Sequence, residues 1–382
     1  MSELRSRSAA SAPLDGAAVV RSDLEHILDA AGPELAAIAG KRLLVTGGAG
    51  FLGHYLVQAA LAWNEAAAAG ERIQLTVLDS FARGAPDWLE ACAARPELTL
   101  VRHDIRDPLP GDLGAFEYVV HAAGIASPTY YRKHPIETMD ANITGLRMLL
   151  DQAVEAERGG QPTDGFLFFS SSEIYGEPTP ENIPTPETYR GNVSCTGPRA
   201  CYDESKRYGE TLCVNFAQQF SLPIAMARPF NNYGPGLKIT DRRVISDLAR
   251  DVLNGNDVVL LSDGFATRTF CYVADAIVGY FKVLVRGHAG EPYNIGNEAP
   301  EISMAALATR VASIARDLFD YDGQLVYETS PEADYLVDNP NRRCPLITKA
   351  REHLGFEPTM GLDEGLRRSL VWYASNRSGE DA

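Results

Sequence analysis

An α/β fold built on a doubly wound parallel sheet follows from three features of the 382-residue sequence. Short, almost wholly apolar runs recur, each closing on Gly, Asp, Ser or Asn: RLLVTGG, IQLTVLD, LTLVRHD, EYVVHAAG, GFLFFSSS and LPIAMARPFN. Strands read this way when helices cover both faces of a parallel sheet. Helical patterns such as GHYLVQAALAW and NITGLRMLLDQAV lie between the first five runs, which gives the strand–helix alternation of such sheets. The first run passes straight into TGGAGFLG, a glycine-rich turn that opens a helix, so the expected sheet is Rossmann-like.

In chain order, residues 1–39 form an extension, polar and Ala/Ser-rich at first, then carrying SDLEHILDAAGPELAAIAG. Leu24, Ile27 and Leu28 recur at helical spacing, and Ser22 or Asp23 is placed to cap a short helix. That helix is expected to pack on the domain surface or on a second subunit. Residues 40–235 carry the alternating pattern of the Rossmann-like domain. After about Gly236 the alternation loosens into helical stretches at RRVISDLARDVLNG and ISMAALATRVASIARDLF. Residues 236–382 are therefore expected to form mainly a smaller C-terminal substrate lobe. It is interleaved with late elements of the first domain at about 268–297, through TRTFCYVADAIVGYFKVL.

Composition bounds the function. The chain is 45% hydrophobic and 23% charged, ordinary for a globular protein. It has no run of ~18 apolar residues to span a membrane, and its start lacks the apolar region of a secretory signal. Cys92, Cys195, Cys201, Cys213, Cys271 and Cys344 are scattered without a CxxC pair. That pattern suits reduced thiols in a cytoplasm rather than a disulfide framework or zinc knuckle. The seven histidines show no ligand spacing, so no metal is expected, and His121, after an apolar strand, reads as packing. A net charge of -16 opposes nucleic-acid binding. A phosphorylated small molecule needs only a local group of arginines.

The motifs carry the chemistry. Gly47, Gly50 and Gly53 are spaced GxxGxxG, with Phe51 and Leu52 beginning the helix. Small residues let the backbone approach a pyrophosphate, and the helix N-terminus favours anions. Asp79 ends the second strand about 26 residues after Gly53. A carboxylate there accepts hydrogen bonds from ribose hydroxyls and repels a 2′-phosphate, so NAD is expected rather than NADP, with nearby Arg83 opposing that preference. FFSSSEIYG sets Ser171, Ser172 and Glu173 at the carboxyl edge of the sheet. Tyr202 and Lys206, in RACYDESKRYGETL, share one helical face. Alone, that spacing occurs in many helices. Beside a strand-end serine and a glycine-rich turn it reads as a hydride-transfer site. The ammonium is expected to lower the tyrosine from its ordinary pKa of ~10, so that its phenolate removes a hydroxyl proton held by Ser171. Arg132 and Lys133 read as a solvated pair, with a place facing a sugar carboxylate as the alternative.

From about Lys41 to Tyr373 the chain resembles the extended short-chain dehydrogenase/reductases of the NAD-dependent nucleotide-sugar epimerase/dehydratase family. TGGAGFLG, HDIRD, HAAG, SSSEIYG, YDESK, RPFNNYGPG and TRTFCYV fall in that family's order. The resemblance implies that Asp104 and Ile105 flank the adenine, and that Ala122, Ala123 and Gly124 line the cofactor's phosphates and ribose. It implies a catalytic set of Ser171, Ser172, Glu173, Tyr202 and Lys206, with Lys206 also holding the nicotinamide ribose. It further implies that Asn231 and Arg268 contact a sugar nucleotide's diphosphate, that Arg243 and Arg343 lie near the nucleotide, and that the protein is a homodimer.

Within the family, ETYRGNVSCTGPRACYDESKR and HAAGIASPTYYRKHPIET are most similar to the UDP-glucuronate decarboxylase subgroup. That subgroup's Thr-Ser-Glu triplet matches Ser171, Ser172 and Glu173 with serine in place of threonine. Glu137 stands where a lysine is usual, Leu346 follows Pro345 where an aspartate is usual, and the N-terminal extension has no counterpart. The implied activity is conversion of UDP-glucuronate to UDP-xylose through a 4-keto intermediate. A 4,6-dehydratase, with Glu173 taking the C5 proton, and a 4-epimerase would use the same intermediate. A non-catalytic sugar-nucleotide-binding protein is the reading from another class, and the intact Ser171, Tyr202 and Lys206 count against it.

Overall fold

A computed structural model of the chain describes residues 15–330 and 336–377, so the first part of the extension lies outside the described residues. Six strands follow the six apolar runs: β1 (Arg42–Thr46), β2 (Gln74–Asp79), β3 (Leu98–Arg102), β4 (Tyr118–His121), β5 (Gly165–Phe169) and β6 (Ile224–Pro229). A late strand, Pro292–Ile295, joins at the edge, giving the order Pro292–Ile295, β6, β5, β4, β1, β2, β3. All six pairings are parallel. The order reverses between β1 and β4, and a parallel sheet opens a crevice for ligands at the carboxyl ends there.

The continuous apolar runs still divide by period two. Leu43, Val45, Leu167 and Phe169 enter one core with Tyr55 and Val57, while Leu44, Phe166 and Phe168 enter the other with Leu146 and Phe216. Among the described residues eight α-helices precede β6: α1 (Gly16–Ala30), α2 (Gly32–Ile38), α3 (Phe51–Ala66), α4 (Asp87–Cys92), α5 (Pro128–Lys133), α6 (Pro135–Asp140), α7 (Leu146–Arg158) and α8 (Ala200–Phe220). Helix α3 and the later helix Val273–Arg286 cover the first face; α7 and α8 cover the second.

Two expectations are corrected. No helix joins β3 to β4; the connection holds Pro108, Pro110, Gly111 and Gly114, which favour turns. Helix α1 starts earlier than Ser22: Asp15 is its cap, its carboxylate accepting the Ala18 N–H at 2.6 Å. Asp23 is instead mid-helix and buried, accepting hydrogen bonds from Tyr55 (2.5 Å), Tyr272 (2.7 Å) and Arg368 (2.7 Å). Through these bonds α1 packs on its own chain, against α3 and the helices Val273–Arg286 and Leu362–Ser375.

Beyond β6, short strands Thr267–Arg268 and Arg342–Arg343 pair in parallel with Arg268 opposite Arg343, which brings two arginines from distant sequence side by side. Among the described residues no helix is long and apolar enough to cross a membrane.

Candidate active site

The carboxyl ends of β1, β2, β4 and β5 open into one cleft of about 2090 Å³, and every candidate position named from the sequence lines it. A single small-molecule pocket holds roughly 300–1,000 Å³, so this cleft has room for two large ligands end to end.

One end is built by the β1–α3 turn. Gly47 has φ of +74°, and a Cβ there would stand 2.7 Å from the backbone of Ala123. A side chain at Gly53 would collide with the Gly48 carbonyl. The turn is thus backbone against backbone, with the N-terminus of α3 aimed into the cleft, which fits a dinucleotide pyrophosphate. Asp79 is fixed beside it, accepting the Ala49 N–H at 3.0 Å and the Phe81 N–H at 2.8 Å. Arg83, expected to oppose the carboxylate's preference, is engaged elsewhere: its guanidinium is 2.9 Å from Asp241 and lies over the Tyr130 ring. Asp104 is bound by Arg106 at 2.6 and 2.9 Å, which lowers its pKa. Ile105 is buried and packs against Gly145. Arg243 pairs with Asp241 at 3.0 Å and overlies Phe51, so it stands at the cofactor end. These residues fit NAD: a glycine cradle for the phosphates and a fixed carboxylate at the ribose.

At the other end Tyr202 and Lys206 project from α8, both about nine-tenths buried or more. The Lys206 ammonium donates to the Phe169 carbonyl at 2.7 Å and lies 5.8 Å from the Tyr202 ring centre. Ser171 hydrogen-bonds the Tyr202 side chain and also accepts the Glu173 N–H at 3.1 Å. The expected lowering of the tyrosine is not found. Burial pushes Tyr202 up to about 12, with the Ser171 bond opposing, and burial pushes Lys206 down to about 7. Desolvation disfavours the charged form of both groups, and the ammonium is spent on a carbonyl. His121, expected as packing, closes β4 with Nδ1 bonded to Thr46 Oγ1 at 2.8 Å.

Ser172 is buried at the head of a short 3₁₀ turn, Ser172–Tyr175, which carries Glu173. Arg199 reaches Glu173 at 2.5 Å, and Arg343 grips the same carboxylate through both Nη atoms, one at 2.8 Å. The paired guanidiniums override burial and hold Glu173 far below the usual carboxylate range. Arg268 is buried beside Arg343, and its guanidinium donates to the carbonyls of Thr267 and Pro340 and to Asn339. Among the described residues it has no carboxylate within ion-pair distance, and burial followed by the Arg343 charge pulls it down to about 9. Asn231, at φ +43°, donates to the Thr269 carbonyl at 2.8 Å.

Sequence reasoning missed three groups. Arg199 stood in GPRACYDESK, where its place three residues before Tyr202 was the available signal. Tyr131 stacks on Tyr202 with ring centres 5.0 Å apart and planes at 10°. Asp203 is buried, and burial with the nearby Glu173 charge pushes it up to about 8.

A protein-family model described as the NAD dependent epimerase/dehydratase family matches residues 43–296. UDP-glucuronic acid decarboxylase 5 of Arabidopsis thaliana is 37% identical over 325 residues, covering 85% of this chain and 87% of that protein. UDP-glucuronic acid decarboxylase 1 of Xenopus tropicalis is 33% identical, covering 87% of this chain and 72% of that protein. Among solved structures, a dTDP-glucose 4,6-dehydratase from Streptomyces venezuelae with NAD bound superposes with a TM-score of 0.73 at 27% identity, covering 88% of this chain and 98% of that one. A UDP-glucuronic acid 4-epimerase from Bacillus cereus, in complex with UDP-glucuronic acid and NAD, superposes with a TM-score of 0.69 at 25% identity, covering 87% and 98%.

Proposed function

The chain belongs to the NAD dependent epimerase/dehydratase family, and from that premise we propose that it decarboxylates UDP-glucuronate to UDP-xylose through a 4-keto intermediate. One observation carries the choice of substrate. Two buried guanidiniums, Arg199 and Arg343, hold the Glu173 carboxylate close to Tyr202 and Ser171, a third, Arg268, lies buried beside Arg343, and the other buried acid near them, Asp203, is pushed toward its neutral form. A molecule of net charge -16 thus keeps a local excess of positive charge where the sugar would react. A sugar with its own carboxylate, joined to a diphosphate, balances that excess; a neutral hexose leaves part of it buried and unpaired.

Tyr202, once ionised, takes the proton of the C4 hydroxyl, which Ser171 orients. NAD, held along the β1–α3 turn and by Lys206, would supply the hydride acceptor and later the hydride donor for C4. With C4 a ketone, the C6 carboxylate belongs to a β-keto acid. The C5–C6 bond breaks, carbon dioxide departs, and the bonding electrons move to the C4 oxygen, where Tyr202 and Ser171 donate hydrogen bonds to the developing charge. Protonation at C5 and return of the Tyr202 proton to the C4 oxygen complete the pentose.

A 4,6-dehydratase or 4-epimerase acting on the same ketone is the second reading, supported by the likeness to solved dehydratase and epimerase structures. The proposal extends to a homodimer working in the cytoplasm; six free cysteines and the family resemblance support it. The test is product mass from a panel of UDP-glucuronate, UDP-glucose and dTDP-glucose. Loss of carbon dioxide from UDP-glucuronate alone is expected; loss of water from a hexose nucleotide replaces the proposal with the dehydratase.

A further inference from the structure

A 4-keto sugar nucleotide can leave this cleft by two routes, and they differ in what they ask of a base. From the C6 carboxylate, carbon dioxide departs and no proton is taken from carbon. From a C6 alcohol, a base must first remove the C5 proton so that hydroxide can leave. Glu173, beside Ser171 and Tyr202, is the carboxylate placed for that removal, yet both its oxygens are occupied. Oε2 accepts from Arg199 at 2.5 Å and from Arg343 at 2.8 Å, and Oε1 accepts from the other Arg343 nitrogen.

The two arginines are not equivalent. Arg343 lies on a short strand beside Arg268, and both line the cleft. Arg199 stands at the start of α8, three residues before Tyr202 on the same helix. Its guanidinium overlies Tyr131 at 5.9 Å, and Tyr131 in turn is stacked on Tyr202. The element that carries the catalytic tyrosine therefore also fixes the cation on Glu173.

We propose that Arg199 is a positioning residue that keeps Glu173 from acting as a base at C5, so that the hydrogen already on C5 is retained while the 4-keto sugar loses carbon dioxide. The inference rests on the decarboxylase reading above and adds to it the residue that protects C5 from proton exchange. Around Glu173, burial and Asp203 favour the protonated carboxyl, while Arg199, Arg343 and Arg268 oppose them. Arg199 and Arg343 both lower it, each through its charge and through a hydrogen bond. Each unit by which a carboxyl falls is a tenfold loss of proton affinity, and a carboxylate so lowered is a weak base toward carbon.

The test counts deuterium. Decarboxylation in deuterium oxide replaces the C5–C6 bond by one C5–D bond, so the wild-type pentose should carry one deuterium at C5. A second enters only if a base removes the remaining C5 proton from the 4-keto pentose. Arg199→Met should raise the fraction of product with two deuteriums at C5 by about tenfold or more, the ratio that one unit of proton affinity represents. Arg199→Lys, which keeps the positive charge, should restore the single count. If Arg199→Met does not fold, Arg199→Gln is read by the same count. A single deuterium in the products of both wild type and the neutral variant overturns the role of Arg199 and leaves the decarboxylase reading intact. No pentose from the wild-type protein overturns both.

Discussion

Tyr202 and Asp79 carry the most direct tests at the scale of single residues. Tyr202→Phe removes the proton acceptor of the proposed mechanism and keeps the buried ring and its stacking on Tyr131. The rate should fall ~100- to 10,000-fold while circular dichroism and NAD binding stay unchanged; a fall of less than tenfold would show that another group is the base. Asp79 should make the protein bind NAD more tightly than NADP, because Arg83 is committed to Asp241 rather than to the ribose. Titration with both cofactors checks this, and tighter NADP binding would refute the assignment. Tyr202, Lys206 and Ser171 were legible because strand-end and helix-spacing rules place them without knowledge of tertiary contacts. Arg199 was not. Its role depends on Glu173 and Arg343, 26 residues before it and 144 after it, and no local pattern announces that meeting. The pKa order of Tyr202 and Lys206 was hidden for a related reason: burial outweighs a neighbouring charge only once the surrounding side chains are in place.

Among the elements, α1 shows both what periodicity conveys and where it stops. Helical spacing of Leu24, Ile27 and Leu28 revealed the helix, but the buried Asp23 looked like a cap, since its partners Tyr55, Tyr272 and Arg368 lie far along the chain. Asp23→Ala leaves two buried hydroxyls and a guanidinium without their acceptor. At ~1–3 kcal/mol for each group left unpaired, with Arg368 partly solvated, the loss should be about 3 kcal/mol, read by denaturant unfolding. Unchanged stability would mean that α1 is not held by this network. His26 adds a pH dependence. Its imidazole is 2.8 Å from Asp275, and that hydrogen bond raises its pKa in the folded state. The folded protein then holds a proton that the unfolded chain has begun to lose, so the contribution is complete below the ordinary histidine value of ~6.5 and disappears as pH rises through the higher folded value. His26→Gln should therefore cost about 1 kcal/mol near pH 6, and less at pH 9; the imidazole is 28% exposed, which keeps the figure small. A cost that grows with pH would contradict the sign. The strands were the most legible elements, because long apolar runs are unambiguous in a doubly covered sheet, whereas the β3–β4 connection lacks the helix that alternation suggests.

For the whole molecule, topology explains why these residues meet. The strand order reverses between β1 and β4, so the ends of β1, β2, β4 and β5 deliver the glycine turn, Asp79, the Ala122–Gly124 segment and Ser171 to one crevice. The chain beyond β6 then folds its paired strands across that crevice and sets Arg268 beside Arg343. With -16 overall, the protein repels an anionic substrate at long range, but screening over about 8 Å at physiological salt leaves the local arginines in control. That arrangement makes the central claim: a site that oxidises C4, loses carbon dioxide and restores C4 without net consumption of cofactor. It is tested most directly by supplying UDP-glucuronate in large excess over NAD-loaded protein, with no further nicotinamide cofactor added, and counting carbon dioxide and pentose nucleotide together. Many equivalents of each per protein chain, in equal amounts, are the expected result. A reaction that stops after one equivalent, or UDP-glucuronate left untouched while a hexose nucleotide loses water, would contradict it.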